Sequence, residues 1–430
     1  MKRSIEFAMA AALVAAWVFV VPRASADAPG WSFKSMEAVP DAPGLVHSVW
    51  EMERPPYGPM DKIALHRLVD EGLNRRQRPH PKQVVFIIPG TWSRAPEELT
   101  DPTTSTNLFL ALHGYDVYTM DFRTKYVPNL AYDQFATADI LPTTDWTYGV
   151  FREDIKACID KAKQLSRAKK IFLAGRSRGG TQMYIYASKY WRKDLKGLIG
   201  LDGGGVWANA GGGSMTEAEY DAMIAAFKAG VLGPYLSEVG GYEQAQYAGA
   251  VPQSINMVGE TSVADYALTV PPPPDGSTLE TVSDVVAYGA FYAWGAGLVT
   301  NYYTPFPGGG GETYMDEQRL ISIMSLFTRY WPAVQDLEGY ALGQFVDTPF
   351  LDYDDHVAEI DLPILFFGSE LGCPGGSCLP QDPEIRTPKT ASDDVTIVYL
   401  PGYGHLDVYA GTHSLQDVKQ PLLEWMNDRN

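Results

Sequence analysis

The sequence predicts an α/β fold: a mostly parallel, doubly wound sheet carrying one large helical insertion. Three observations predict it. Short apolar runs of the kind that suit strands buried on both faces alternate with stretches of helical period. The alternation stops at Gly203 and resumes near residue 359, and the roughly 150 residues between are about a small domain's worth of chain. Finally, a Gly-x-Ser-x-Gly string falls where a strand gives way to a helix.

The chain begins with Lys2 and Arg3, then the uncharged run Phe7 to Val21, then Pro22 and the small-x-small triplet Ala24-Ser25-Ala26. That order predicts a signal peptide over 1–26, cleaved after Ala26, and a secreted or periplasmic protein. The apolar run is short for a bilayer span, which needs about 20 residues, so no stable membrane insertion is expected after cleavage. Removing Lys2, Arg3, Arg23 and Glu6 takes the balance from 34 basic and 52 acidic residues to 31 and 51, a net charge of −20. So acidic a surface repels phosphate backbones, which excludes nucleic acid as a natural partner.

After the leader, Gly44 to Glu53 and Lys62 to Val69 alternate apolar and polar residues, as half-buried antiparallel strands do. Val84 to Ile88 is a continuous apolar run ending in Pro89-Gly90. A helix pattern around Leu108 to Leu112 stops at Gly114, and Tyr115 to Met120 reads as the next strand. Phe151 to Leu165 is helical, Lys170 to Ala174 a strand, Thr181 to Trp191 a helix and Leu198 to Leu201 a strand. Strands and helices alternating at this spacing are βαβ units. The sequence thus divides into a sheet core over 27–203, a helical cap over 204–358 and the second part of the core over 359–430.

Within the cap, Thr216-x-x-Glu219 and Ser277-x-x-Glu280 are capping boxes at helix starts. A four-proline run at 271–274 and a four-glycine run at 308–311 mark loops or hinges. Aromatic residues crowd the cap from Tyr235 to Trp331. The sheet resumes at Leu362 to Phe367 and Val395 to Leu400, and a helix over about 414–426 closes the chain.

Only three cysteines occur. Cys373 and Cys378 stand close enough for a small loop disulfide in an oxidising compartment, which leaves Cys158 as a buried free thiol. No His or second Cys pair stands at zinc spacing from them, so no metal is expected.

The chemistry centres on Ser177, in Gly175-Arg176-Ser177-Arg178-Gly179. A nucleophile on a tight strand-to-helix turn needs glycine two positions before and after it, because side chains there would clash. A serine hydroxyl needs a base, and the base needs an acid to fix its tautomer. His405 is the expected base, since it lies in a glycine-rich loop directly after the last strand. His47 and His66 fall within early strands and His113 ends a helix. His80 sits in a basic turn, His356 borders the insertion and His413 starts the last helix. For the acid, Glu370 follows the strand ending at Phe367 and is the expected residue. Asp202, which also ends a strand, and Asp382, further along the loop of Glu370, remain alternatives; Asp407 lies two residues from His405. The oxyanion hole requires two backbone N–H donors. Arg178 and Thr91 are expected to supply them, with Trp92 as the alternative for the second and as a lining of the acyl pocket.

Pro89-Gly90-Thr91-Trp92, Gly175 to Gly180, Phe367-Gly368-Ser369-Glu370 and Gly404-His405-Leu406-Asp407 occur in the order found in the α/β-hydrolase superfamily. The chain resembles its lipase and carboxylesterase branch, whose members carry a helical cap. Pro89 stands where the family usually has histidine, and Glu370 comes two residues after Gly368, where an aspartate three residues after is usual. The resemblance implies hydrolysis of a small-molecule or lipid-like carboxylic ester through an acyl-enzyme, without metal or cofactor. The aromatic cap favours apolar or aromatic substrates. Peptidase or acyltransferase chemistry on the same fold, and a non-catalytic binding protein on this scaffold, are the competing expectations.

Overall fold

The computed structural model describes residues 30–40, 42–70, 83–90, 93–95, 105–127, 145–203, 216–228, 356–370 and 390–429, with 314, 332, 334, 335 and 338. Nine strands form one sheet in the order β1-β2-β3-β5-β4-β6-β7-β8-β9. The first three, β1 (Trp31–Ala38), β2 (Leu45–Glu53) and β3 (Lys62–Asp70), run antiparallel, and β3 pairs antiparallel with β5 (Asp116–Asp121). From β5 onward neighbours are parallel: β4 (Val84–Ile88), β6 (Ile171–Arg176), β7 (Leu195–Leu201), β8 (Ile364–Ser369) and β9 (Val395–Leu400). The expected strands are all present, and β1 is an addition whose weak alternation gave little sequence signal.

Every residue of β4, β5 and β8 is buried, as expected for strands covered on both faces. Each fully buried Val, Ile or Phe there contributes about 1.5–3 kcal/mol of transfer free energy. The covering helices are α1 (Thr106–Leu112), α2 (Tyr148–Ser166) and α3 (Arg178–Asp194). Ser105 caps α1 by accepting from the Leu108 N–H, and Thr147 caps α2 by accepting from Val150. The closing helix is in two parts, a π-helical turn at Leu415–Lys419 and then α6 (Gln420–Asn427), with Pro421 in its first turn. Trp425 of α6 packs 5.8 Å from the Phe172 ring of β6.

Of the insertion, α4 (Glu217–Lys228) is described. Its capping box forms: the Glu219 N–H donates to Thr216 Oγ1 at 3.3 Å and the Thr216 N–H donates to Glu219 at 2.8 Å. Tyr220 of α4 donates to Glu338, and the same carboxylate accepts the Tyr148 N–H at the start of α2. Gln335 accepts from Gln182 of α3 and donates to the Trp146 carbonyl. The insertion is therefore pinned to the core by buried polar bonds as well as by chain continuity. Apart from the residues named as described, the cap lies outside the described residues, as do the leader 1–26, Ser277, Glu280 and, Tyr314 excepted, the aromatic residues from Tyr235 to Trp331. Among the described residues no helix is long and apolar enough to cross a membrane.

Candidate active site

Strands β6, β7, β8 and β9 are consecutive neighbours in the sheet, so the residues at their carboxyl ends gather along one edge. The ladder continues one residue past each strand. The Ser177 N–H donates to the Leu201 carbonyl, the Asp202 N–H to Phe367 and the Glu370 N–H to Leu400. Ser177 and Asp202 therefore stand at one level, Glu370 stands two residues further along its strand, and His405 enters from the loop after β9.

Ser177 joins β6 to α3 with φ 52° and ψ −126°, a backbone conformation that side-chain-bearing residues seldom adopt. Its surroundings tolerate it only because glycines make room. A Cβ on Gly175 would lie 2.3 Å from the Gly179 carbonyl oxygen, and one on Gly179 would lie 2.4 Å from that of Ile88. A Cβ on Gly203 would lie 1.8 Å from the Ser177 carbonyl oxygen. Gly90, two residues past β4, is less crowded but still near: its Cβ position is 3.0 Å from Ser177 Cβ and 3.6 Å from Oγ. Gly90 thus lies beside the serine side chain. Arg178 begins α3, whose first-turn N–H groups point out of the helix end toward the serine's side. Thr91 and Trp92 lie outside the described residues.

His405 is buried and its Nδ1 is 2.6 Å from Asp202 Oδ2. Asp202, also at positive φ (48°), accepts two further bonds: from the Ser369 N–H at 2.8 Å and from Ser369 Oγ at 2.6 Å. An ionised carboxylate only accepts, so Nδ1 carries the proton and Nε2 presents a lone pair. The Tyr409 hydroxyl lies 2.9 Å from Nε2.

The structure does not bring Glu370 to His405. Its carboxylate accepts the Gly402 N–H at 2.7 Å, fastening the turn at Gly402 (φ +73°) that leads toward the histidine. The carboxylate that meets His405 is that of Asp202, the first of the two alternatives to Glu370. The reason is geometric: both side chains reach the loop after β9, but Glu370 meets it at the Gly402 N–H and Asp202 at the His405 ring. Asp382 lies outside the described residues. Asp407 shapes the loop instead, accepting the Gly404 N–H at 2.8 Å at the start of α5 (Asp407–Ala410). Burial raises its carboxyl to about 6, partly opposed by that N–H. Sequence reading missed Tyr409, which stands four residues after His405 in this short helix.

Cys158 is a buried free thiol, and burial pushes its pKa well above the ordinary value. Cys373 and Cys378 lie outside the described residues. Among the described residues no group of three or more His, Cys, Asp or Glu side chains is placed to hold a metal ion.

Compared with solved structures, the chain is similar to a candidate lipase from Sulfolobus solfataricus, with a TM-score of 0.62 and 26% identity over 94% of this chain and 100% of that one. The fold is that of the α/β-hydrolases. More distant α/β-hydrolase neighbours include a thermophilic esterase from Thermogutta terrifontis, with TM-score 0.41 and 14% identity over 86% of this chain and 95% of that one. A bromoperoxidase from Bacillus anthracis superposes with TM-score 0.42 and 12% identity over 92% and 100%. No protein-family model matches the sequence, and no curated protein matches it. In α/β-hydrolase terms, the segment over 204–355 interrupts the sheet between β7 and β8, so Ser177 and Asp202 both precede it and His405 follows it.

Proposed function

We propose that the protein is an exported serine hydrolase that cleaves carboxylic esters through an acyl-enzyme. The observation that carries this reading is the pairing of Ser177, held at φ 52° on its strand-to-helix turn, with a buried His405–Asp202 bond of 2.6 Å on the same sheet edge. Ser177 Oγ attacks the ester carbonyl while His405 Nε2 accepts its proton. Asp202 holds the proton on Nδ1 and stabilises the imidazolium that forms. The imidazolium then protonates the departing alcohol, and water repeats the sequence on the acyl-enzyme. The N–H of Arg178 and that of Thr91 receive the oxyanion, and the close approach of Gly90 to Ser177 supports placing the second donor in that turn.

The similarity to a candidate lipase supports an ester substrate, and the aromatic sequence of the insertion supports apolar or aromatic acyl or alcohol groups bound beneath it. The leader sequence supports export. A fluorophosphonate probe and a chain-length series of p-nitrophenyl esters test the reading together. Wild type is expected to be labelled at one site and to turn esters over, and Ser177→Ala to lose both. Undiminished turnover by Ser177→Ala would overturn it.

A further inference from the structure

Strand β4 lies between β5 and β6, and the chain that leaves its end is held from both sides. On the β6 side, Ile88 pairs with Gly175, so Gly90 comes level with Ser177, and its Cβ position falls 3.0 Å from the serine Cβ. On the β5 side, Ile87 pairs with Thr119, so Asp121, the last residue of β5, comes level with Pro89. The Ser93 N–H donates back to the Gly90 carbonyl at 3.2 Å. Two residues on, the N–H of buried Ala95 donates to Asp121 Oδ1 at 2.7 Å. One end of this turn therefore stands beside the serine and the other is fastened to a carboxylate.

The proposed reaction assigns no role to Asp121, yet polar partners surround it. The side chain is buried, where a carboxylate without partners would be costly. Its second oxygen, Oδ2, accepts from His66 Nε2 at 3.0 Å and from Lys125 Nζ at 2.6 Å. His66 is fixed in turn by His47, whose Nε2 is 2.9 Å from His66 Nδ1. The two ring planes lie within 14° and their centroids are 5.1 Å apart, as in rings joined edge to edge. Burial works against the charge of Asp121, but His66 and Lys125 hold its carboxyl well below the ordinary range. An ionised acceptor makes a hydrogen bond roughly twice as strong as a neutral one, and Asp121 turns one oxygen of such an acceptor to the Ala95 amide.

We propose that Asp121 is a positioning residue: its carboxylate anchors the turn after β4 at Ala95 and so holds the turn against Ser177. For its consequence the proposal rests on the hydrolase reading, which draws the second oxyanion donor from this turn. Its geometry does not depend on that reading.

The test joins amide exchange to kinetics in Asp121→Ala. The Ala95 amide is expected to exchange slowly in wild type and quickly in the variant, while the amides of β4 and β6 stay protected. A wild-type Ala95 amide that exchanges as fast as open chain overturns the anchor, and this measurement decides the matter if the variant does not fold. With esters, misplacing an oxyanion donor is expected to lower kcat about 100-fold, with KM within a few-fold of wild type. The ratio of ester to thionoester turnover is expected to fall as well, because sulfur is the poorer acceptor and gains less from well-placed donors. A merely structural aspartate would lower the unfolding midpoint and leave that ratio where it was, so an unchanged ratio in folded Asp121→Ala overturns the proposal. If wild type turns over no ester, the hydrolase reading fails, and Ala95 exchange alone judges Asp121.

Discussion

Replacing Asp202 by Asn tests the proposed chemistry most sharply, because the structure dictates what the amide must give up. All three groups facing the carboxylate are donors: His405 Nδ1 at 2.6 Å, Ser369 Oγ at 2.6 Å and the Ser369 N–H at 2.8 Å. An amide has one acceptor oxygen. If that oxygen keeps the Ser369 N–H, the NH₂ faces His405, and the ring must move its proton to Nε2, where it no longer accepts from serine. If the oxygen keeps His405, two buried donors confront each other at Ser369, at about 1–3 kcal/mol. In both arrangements the negative charge that stabilises the imidazolium is gone. The expected loss in kcat is about a thousand- to ten-thousand-fold, or about 4–5.5 kcal/mol at 1.36 kcal/mol per decade, with little change in KM. Glu370→Gln is the matched control. Its amide oxygen still accepts the Gly402 N–H, so turnover should stay within a few-fold of wild type. Steady-state hydrolysis of p-nitrophenyl esters by the two variants decides the matter. Near-normal turnover in Asp202→Asn with collapse in Glu370→Gln would refute the reasoning.

Two further outcomes concern the frame around the site. Gly203→Ala would set a Cβ 1.8 Å from the Ser177 carbonyl oxygen, a backbone atom that cannot swing aside. Overpacking where side chains can yield costs about 1–3 kcal/mol, so a loss at or above that range in chemical denaturation, with loss of probe labelling, is expected; wild-type behaviour would mean that the elbow does not rest on this glycine. Asp407 titrates near 6 in the folded protein against an ordinary 3.8, because burial disfavours its charge. The folded state thus binds the proton more tightly, and this residue's contribution to stability falls as pH rises from about 4 to about 6 and is level above. At about 1.36 kcal/mol per pH unit across that interval, the loss has a ceiling of about 3 kcal/mol. Asp407→Asn keeps an acceptor for the Gly404 N–H and removes the slope, so urea midpoints measured from pH 4 to 7 should diverge from wild type upward; parallel curves would count against it.

The parts of this fold written in local pattern were legible. Val84 to Ile88 and Val395 to Leu400 are strands with the expected bounds, since short apolar runs between turn residues leave little choice of register. The capping box at Thr216 formed because its bonds lie within four residues of chain. The serine turn was legible because glycine is the only residue that fits at 175 and 179. The acid was not, and the physical cause is specific. Asp202 and Glu370 each sit one residue beyond adjacent parallel strands, with Leu201 paired to Phe367. Their sequence contexts are equivalent, and what separates them is the direction of a side chain at positive φ and the two donors of Ser369, both set by tertiary contact. Strand β1 escaped because its residues are mostly exposed, which weakens the apolar alternation by which strands are read. Tyr409 escaped because a hydroxyl reaching a histidine depends on the path of a loop, which no periodicity encodes.

With Asp202 in the place expected of Glu370, the division of labour along the chain changes. The proposed nucleophile and the residue proposed to orient its base both lie upstream of the insertion, at the ends of neighbouring strands, and Gly203 follows so close to the serine that a side chain there would meet its carbonyl. β7 and β8 meet through their own ladder, so the sheet edge that carries both groups closes across the insertion. In the proposed reading, the groups that do the chemistry and the segment expected to choose the substrate are thus separated along the chain, and a change of substrate would fall on one uninterrupted stretch of sequence.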